Sequence, residues 1–406
     1  MRFNLVMLGF LVESTYFGER TKSDHFPQVA ARKFEFGFLN GFVDNNIGVK
    51  VLGFFPSSTY PRNRFILYGY RTWLYRSVVC TTLPFINLPG LKLLTRLASS
   101  FIGLVSCIFR GVRSQAICVY SAHSPFLLSA RISKMLFGIP YYVVIPDLPE
   151  LMDVGVQRGL FRKALKSIDK YLIRYLVSKS NGICTVTEFI SRDISAWRML
   201  PAVTVEGIAP EVPAGGNVDS IPRGGKPYFL YSGGLNEAYG VKTLVSAFLA
   251  SNLDAELWLC GSGPLSGFID ECSAKDRRIR NLGFLNQDEL LRAQRGAAAL
   301  LITRAPDEHY VRYSFPSKLL EYMATGVPVL TTRLPGIPVE YFDYVDVIDG
   351  VSEFEIVDAL RKHLNLDTKS REEKGKKALD FVREYKAAKV AVLPLLKIMG
   401  VSYDEI

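Results

Sequence analysis

The chain has 406 residues, of which 49% are hydrophobic and 22% are charged. These values predict a globular protein of two domains and exclude a disordered chain. Six scattered cysteines without a Cys-x-x-Cys pair indicate reduced thiols in a cytoplasmic protein, with neither a disulfide framework nor a zinc site. Lys and Arg number 49 against 39 Asp and Glu, and the excess lies in residues 1–210. Because no nucleic-acid-binding motif is present, this basic half favours an anionic membrane surface as partner over nucleic acid.

Short apolar strands and helical stretches alternate through residues 1–209, which predicts an α/β doubly wound sheet. The predicted strands are 5–9, 49–54, 116–120, 141–145, 182–185 and 203–206. The predicted helices are 27–43, 91–109, 125–137, 158–178 and 188–199. The longest apolar stretch, 97–109, is too short and too polar to span a bilayer. It is equally consistent with a buried core helix and with a membrane-touching helix.

A linker rich in Pro and Gly, residues 210–227, follows the first half, and the alternation then restarts. The predicted strands are 228–232, 256–260, 279–282, 298–303, 327–331 and 344–348. The predicted helices are 241–250, 265–274, 287–295, 316–324, 353–364, 370–385 and 386–399. This order predicts two consecutive Rossmann-like, doubly wound domains that face a cleft, at residues 1–209 and 228–385.

The strongest local signal is the predicted helix start at Ser314, Phe315, Pro316, Ser317 and Lys318. Proline suits the first turn of a helix, with Ser314 or Phe315 as the cap. Free N–H groups and the helix dipole favour an anion there. Lys318 opposes the dipole by about 0.3–1 kcal/mol unless a phosphate is bound. The segment therefore predicts a phosphate site, and a solvated Lys318 is the equally weighted alternative.

Residues 314–330 read SFPSKLLEYMATGVPVL, which resembles the donor-site helix of GT-B glycosyltransferases of family 4. The resemblance implies that Glu321 binds the ribose diol of a nucleotide, since a carboxylate accepts from two neighbouring hydroxyls. Tyr313 stands where the family has another glutamate, which contacts the transferred sugar. Asp307 or Glu308, in the preceding loop, would supply that carboxylate instead.

Two glycine loops extend the resemblance. They are residues 231–241 (YSGGLNEAYGV), with Gly233 and Gly234, and residues 257–264 (LWLCGSGP), with Gly261 and Gly263. Glycine lets the backbone approach a phosphate or sugar closely, and a simple tight turn is the alternative. The resemblance places the base of the nucleotide at residues 281–285, which end in Phe284 and Leu285.

Two family cations are absent from this sequence. The family usually has an Arg where Gly234 stands and a Lys where Tyr239 stands, and both neutralise the diphosphate. Their absence implies that Lys318 carries this charge. Arg304 and Arg312 are further candidates for the same task.

The first half has its own candidates at predicted strand ends. Pro146 and Asp147 follow one strand and resemble the family's strand end at the cleft, with Pro146 in place of a His. Because ligands bind at the carboxyl ends of strands in open α/β sheets, we expect Asp147 to contact the sugar or acceptor and Glu150 to contact the acceptor. His123 follows another strand and is either an acceptor contact or a turn residue.

The resemblance covers nearly the whole chain in element order and implies an enzyme. It implies retaining transfer of a hexosyl group from a UDP- or GDP-sugar to a hydroxyl of a lipid-linked saccharide or polysaccharide, in bacterial surface polysaccharide biosynthesis. The first domain would bind the acceptor, the second domain the donor, and residues 386–406 would cross back to complete the first. No cofactor or metal is expected, which agrees with the lack of an Asp-x-Asp motif.

A basic helix supports the membrane as partner. Its cations are Arg158, Arg162, Lys163, Lys166, Lys170 and Arg174. They suggest peripheral binding at the inner face of the plasma membrane, with a merely solvated helix face as the alternative. Two other functions stay open. One is a nucleotide-sugar epimerase or a phosphorylase on the same fold, and the other is a non-catalytic nucleotide-sugar-binding homologue.

Overall fold

The computed structural model describes residues 3–21, 29–109, 115–148, 160–211 and 225–402. The chain divides into two compact units. Unit 1 comprises Met1–Ile208 and Ala388–Ile406, and unit 2 comprises Ala209–Ala387. Most of the predicted linker, along with Glu150 and Arg158, lies outside the described residues.

The described residues of unit 1 form ten strands and six α-helices before the chain enters unit 2. The strands are β1 (Asn4–Gly9), β2 (Gly48–Gly53), β3 (Leu67–Tyr68), β4 (Arg71–Tyr75), β5 (Val78–Thr82), β6 (Phe85–Ile86), β7 (Ala116–Tyr120), β8 (Tyr141–Ile145), β9 (Gly182–Thr185) and β10 (Ala202–Thr204). The helices are α1 (Ser14–Thr21), α2 (Val29–Asp44), α3 (Leu91–Phe109), α4 (Ser124–Phe137), α5 (Leu160–Ser178) and α6 (Glu188–Asp193).

Eight of these strands form one sheet in the order β10-β9-β8-β7-β1-β2-β5-β4. All neighbours are parallel except the β4–β5 hairpin at one edge. Strands β7 and β8 are buried at every position, as expected for parallel strands covered by helices on both faces. The strand order reverses between β1 and β7, which makes this the switch point of the sheet.

The sequence patterns missed parts of unit 1. The segment β3–β6 and helix α1 were not predicted. Strand β4 has one buried residue, Trp73, among exposed and half-buried positions, as an edge strand does, whereas the predicted strands are continuous apolar runs. The predicted helix 188–199 is wrong beyond Asp193, because Ile194 takes an extended conformation and a separate 3₁₀ turn follows at Ser195–Trp197.

Unit 2 contains a six-stranded sheet and six helices. The strands are β11 (Tyr228–Ser232), β12 (Glu256–Cys260), β13 (Ile279–Gly283), β14 (Ala299–Ile302), β15 (Val329–Thr332) and β16 (Asp346–Ile348). The helices are α7 (Val241–Ala250), α8 (Ser266–Lys275), α9 (Gln287–Gly296), α10 (Lys318–Met323), α11 (Glu353–Leu364) and α12 (Thr368–Tyr385).

The sheet of unit 2 is wholly parallel in the order β13-β12-β11-β14-β15-β16. This is the doubly wound order with its switch point between β11 and β14. One face packs Leu230 and Leu300 against α10 and α12. The other face packs Phe229 and Leu301 against α7 and α11. Alternate residues of each strand therefore supply two separate hydrophobic layers.

The chain ends in two short helices that belong to unit 1, α13 (Ala388–Ala391) and α14 (Leu393–Ile398). Asn45 Nδ2 donates to the carbonyl of Lys389 at 2.7 Å. Val392 is fully buried in the core that α2 forms with the sheet. The crossing back to unit 1 is thus confirmed. The single helix predicted at 386–399 is wrong, because proline in the first turn of α14 cannot continue the preceding helix.

Helix α3 has 19 residues and so extends beyond the predicted apolar stretch 97–109. Among the described helices it is the one whose length and composition would allow it to cross a membrane, contrary to the sequence-based expectation, and 28% of its most apolar window is buried.

Candidate functional site

The loops that follow β11 and β14 meet at the switch point of unit 2. Gly233 and Gly234 come directly after β11, and Thr303 and Arg304 come directly after β14. These two strands are neighbours in the sheet. Ligands of open α/β sheets bind at the carboxyl ends of the strands where the order reverses. The predicted glycine loop therefore lies where this topology places a ligand.

The two predicted glycine loops pack backbone against backbone. The N–H of Gly233 donates to the carbonyl of Cys260 at 2.8 Å. Gly261 has a φ of 142°, and a methyl group built on it would lie 1.9 Å from the carbonyl oxygen of Gly233. A methyl group on Gly263 would lie 2.3 Å from the carbonyl oxygen of Leu235. Only glycine fits at these positions, so the second loop supports the first.

Helix α10 differs from its prediction at the start. It begins at Lys318 and has six residues, with Ser317 before it in a helical conformation and no side-chain cap. The N–H of Leu319 bonds the carbonyl of Pro316, so the first turn is tightened to 3₁₀ geometry. The predicted helix start at Pro316 and the cap at Ser314 or Phe315 are wrong. The dipole of so short a helix attracts an anion less strongly than expected. Binding of a phosphate there would therefore depend more on side-chain charge.

Lys318 lies directly on the glycine loop. A methyl group built on Gly233 would lie 2.7 Å from Lys318 Cε. Glu321 follows three residues later on α10 and is half-buried, and residues three apart share a helix face. Lys318 therefore lies at the end of β11, with Glu321 on the same face of α10. Their role in donor binding stays a prediction.

The Tyr322 hydroxyl connects α10 to β11, and the sequence patterns missed this contact. The hydroxyl accepts from the N–H of Ser232 at 2.9 Å, donates to the Ser232 carbonyl at 3.1 Å, and lies 3.0 Å from Ser232 Oγ. Tyr322 is fully buried, and burial raises the pKa of its hydroxyl to about 12. The contact fixes α10 next to the glycine pair. The one hint in the sequence is a polar hydroxyl on the apolar face of the helix.

The other predicted residues of unit 2 lie in the segments that follow β13 and β14. Asp307 and Glu308 are exposed, and Tyr313 is half-buried in a 3₁₀ turn. No described contact joins these three to the glycine pair. Phe284 is 87% exposed, and Leu285 packs on the core of unit 2.

Two more predicted residues have separate partners. Ser314 Oγ accepts from Arg304 at 3.3 Å, and the Phe315 ring packs on Tyr341 at 5.4 Å.

In unit 1, a buried carboxyl occupies the switch point and was also missed. Glu35 on α2 is 1% exposed and accepts from the N–H of Phe10, which follows β1, at 2.9 Å. A methyl group on Gly9 would lie 2.0 Å from its Oε1. Burial raises the pKa of Glu35 to about 8, against the opposing effect of its hydrogen bonds. A charged residue inside the apolar run of α2 is the signal that could have found it.

The predicted residues of unit 1 lie near this carboxyl. His123 follows β7 and packs on Phe10 with ring centroids 5.6 Å apart. Its Nε2 lies 3.3 Å from the guanidinium of buried Arg96, and burial lowers the pKa of His123. Asp147 follows β8 and is exposed, while loss of solvation at its carboxyl raises its pKa to about 6. Each of these groups thus lies at the carboxyl ends of the central strands.

Known proteins are similar to most of unit 2 in sequence and to the whole chain in fold. Residues 226–364 match the family described as glycosyl transferases group 1. Sucrose-phosphate synthase from Thermosynechococcus elongatus is 14% identical, with a TM-score of 0.63 and 98% of each chain covered. The lipopolysaccharide outer core galactosyltransferase WaaB is 14% identical, with a TM-score of 0.60 over 98% of this chain and 99% of that chain. The chain has the GT-B fold, and its unit 2 carries a glycosyl transferases group 1 domain.

A further similar structure is the UDP-forming α,α-trehalose-phosphate synthase from Burkholderia vietnamiensis. It is 11% identical, with a TM-score of 0.63 over 98% of this chain and 100% of that chain. No curated protein sequence matches the chain. The similar structures establish the fold of the glycosyltransferase, and the family match establishes its class of activity. The predictions of a GT-B fold and of a glycosyltransferase are therefore confirmed.

We expect Tyr322→Phe to destabilise unit 2 by about 1–3 kcal/mol, because the buried N–H of Ser232 loses the hydroxyl to which it donates. Urea unfolding measures the change. Tyr344→Phe is the matched control, since that ring stacks on Phe381 at 4.2 Å and keeps its packing. Equal stability of the two variants would show that the Tyr322 hydroxyl does not hold α10.

We expect Glu35→Gln to change how stability depends on pH. With its pKa raised from 4.5 to about 8, folded Glu35 keeps a proton that the unfolded chain gives up. Its contribution is complete below pH 4.5 and falls by about 1.4 kcal/mol per pH unit as the pH rises towards 8. Gln cannot titrate, so the stability of the variant relative to wild type should rise over this range.

Urea unfolding at several pH values between 4.5 and 8 measures this difference. Glu188→Gln is the control, because Glu188 has a side chain 67% exposed. A stability difference for Glu35→Gln that stays constant with pH would contradict the assignment.

Proposed function

We propose that this glycosyltransferase moves a hexosyl group from a nucleoside diphosphate sugar to a hydroxyl of a lipid-linked saccharide or polysaccharide, with retained configuration. The process would be bacterial surface polysaccharide biosynthesis. The observation that carries the proposal is the glycine pair at the switch point of unit 2, with Lys318 against it. This pair lies within the group 1 domain.

The donor would bind along the carboxyl edge of the sheet in unit 2. Its diphosphate needs close backbone approach and positive charge, which Gly233, Gly234 and Lys318 offer. Glu321, on the same face of α10, suits the ribose diol. The exposed ring of Phe284 offers a surface on which a base could stack. A UDP-sugar is favoured over a GDP-sugar, since one similar enzyme is described as UDP-forming.

Transfer with retention would need little from the protein beyond position and charge. The leaving phosphate oxygen would take the proton of the acceptor hydroxyl on the same face of the sugar on which the new bond forms. Negative charge grows on that oxygen in the transition state, so Lys318 would contribute most at that point. The candidates for contact with the transferred sugar are Asp147, Tyr313, Asp307 and Glu308. The proposal requires no metal or other cofactor.

The acceptor would bind unit 1 at its own switch point, where His123 and Asp147 follow adjacent strands. Glu150 would join them. A saccharide suits a site that mixes carboxylate, imidazole and aromatic groups. The similarity to WaaB, described as a lipopolysaccharide outer core galactosyltransferase, supports a surface polysaccharide as the product.

A membrane would meet unit 1 along α3, α4 and α5, which pack side by side. Helix α5 exposes Leu165, Ile168 and Tyr171 at 51%, 64% and 74%, spaced to lie on one side. Lys166, Lys170 and Arg174 lie on the same helix. Apolar side chains with basic neighbours suit an interfacial helix on anionic lipid. A cytoplasmic enzyme bound to the inner face of the plasma membrane would meet a lipid-linked acceptor there.

We expect Lys318→Gln to lower the rate of nucleoside diphosphate release by about 100-fold, as removal of one preorganised donor from a developing anion does. Glu321→Gln should mainly weaken donor binding. The assay supplies UDP- and GDP-sugars with a bacterial membrane extract as acceptor. Lys226→Gln is the control, because Lys226 pairs with Asp254 on the surface. Unchanged turnover in both site variants would refute the donor site. Release of nucleoside diphosphate without any acceptor would favour a reaction other than transfer to a saccharide.

We expect the triple variant Lys166→Gln, Lys170→Gln and Arg174→Gln to bind phosphatidylglycerol vesicles about 100-fold more weakly, at about 1 kcal/mol for each cation. Co-sedimentation with vesicles measures the binding. The control neutralises Lys226, Lys242 and Lys362 in unit 2, whose side chains are 55%, 54% and 69% exposed. Binding that is equal for both variants, or equal on phosphatidylcholine, would exclude this membrane surface.

A further inference from the structure

The glycine pair has a different side chain against each of its residues. Lys318 lies on Gly233, as described. On the next residue, a methyl group built on Gly234 would lie 3.0 Å from Cε2 of the Tyr239 ring. Consecutive Cα atoms are about 3.8 Å apart, so Lys318 and Tyr239 lie within a few ångströms of one short stretch of backbone. A diphosphate bound there would face a cation beside Gly233 and an aromatic ring beside Gly234.

Arg304 packs on the Tyr239 ring, which lies beside Gly234. Its guanidinium carbon lies 4.6 Å from the centroid of the Tyr239 ring and 5.6 Å from that of Tyr310. Its Nη1 donates to Ser314 Oγ at 3.3 Å. These described contacts are a hydroxyl and two rings, and none of them neutralises the guanidinium charge. They orient the side chain and leave its charge available to a ligand.

The backbone fixes this arrangement from both strands of the switch point. Thr303 Oγ1 donates to the carbonyl of Tyr239 at 3.3 Å, and a methyl group on Gly240 would lie 1.8 Å from the carbonyl of Thr303. Tyr310 donates to the carbonyl of Ala238 at 3.0 Å. The turn that carries Tyr239 is thus held against the loop that carries Arg304. The pair keeps its place beside Gly234 without a bound ligand.

We infer that Arg304 is the second cation on the donor diphosphate, held by the Tyr239 ring and opposite Lys318 across Gly233 and Gly234. The inference rests on the proposed donor site. A guanidinium can donate two parallel hydrogen bonds to phosphate oxygens, which a lysine cannot. Tyr239 is a positioning residue in this assignment, and Arg304 contacts the ligand.

The test is calorimetric binding of UDP, GDP and the corresponding nucleosides to wild type, Arg304→Gln and Arg304→Lys. For the diphosphate that wild type binds, Arg304→Gln should weaken binding by about 10- to 100-fold, the range for a lost hydrogen bond to a charged group. Binding of the nucleoside should stay within about twofold, because it carries no phosphate. Arg304→Lys should recover part of the loss, and circular dichroism confirms that each variant is folded.

Two further variants make the test specific. Tyr239→Ala should reproduce most of the Arg304→Gln loss, whereas Tyr239→Phe, which keeps the ring, should not. Arg280→Gln is the matched control, since Arg280 lies over Trp258 at 5.3 Å near the amino ends of the strands. If wild type binds no nucleoside diphosphate, the donor site itself is wrong. Suppose that wild type binds a nucleoside diphosphate and Arg304→Gln binds it equally well, or that Arg304→Gln weakens nucleoside binding as much as diphosphate binding. Either result overturns the role of Arg304, and the donor site stands.

Discussion

The hydroxyl of Tyr322 and the last residue of β11 form the contact on which the proposed donor site depends. The N–H, the carbonyl and the hydroxyl of Ser232 all contact the Tyr322 hydroxyl, and the next residues are the glycine pair. A six-residue helix has little stability of its own. Because α10 is pinned at Tyr322, the side chain of Lys318, one turn earlier, is delivered onto Gly233. A buried hydrogen bond therefore sets the position of a charge at the surface.

The two units have different side chains at the switch points of their sheets. Each sheet reverses its strand order once, and each reversal leaves a loop end that a ligand can approach. In unit 2 the loop ends are glycines with cations beside them. In unit 1 the corresponding loop is held by the Glu35 carboxyl, which bonds the N–H of Phe10. Phosphate would be repelled from such a carboxyl once it ionises, whereas a neutral saccharide would not. The difference agrees with separate places for donor and acceptor.

Residue patterns predicted the parallel core well and the site only in part. Fully buried strands such as β7, β8 and β11 are uninterrupted apolar runs between clear breaks, so period and length suffice to find them. The hairpin at β4–β5 lacks such a run, and α10 was placed two residues early because proline can stand before a helix as well as within its first turn. Glu35 and Tyr322 could not be assigned from pattern, since their partners lie 25 and 90 residues away. The cations were named from sequence, but only the structure places Arg304 on Tyr239.

The last residues of the chain have a consequence for synthesis. Val392, Leu395 and Leu396 are fully buried in the core of unit 1, although the whole of unit 2 precedes them in sequence. On the ribosome, which releases residues in order, the strands of unit 1 emerge first but wait for these side chains before their hydrophobic layer is closed. Among the described residues, unit 2 has its last strand at Ile348 and its last helix at Tyr385, so it can close before α14 emerges. The first unit to be made is therefore the last to be finished, and its open apolar face is exposed to chaperones or to aggregation during that interval.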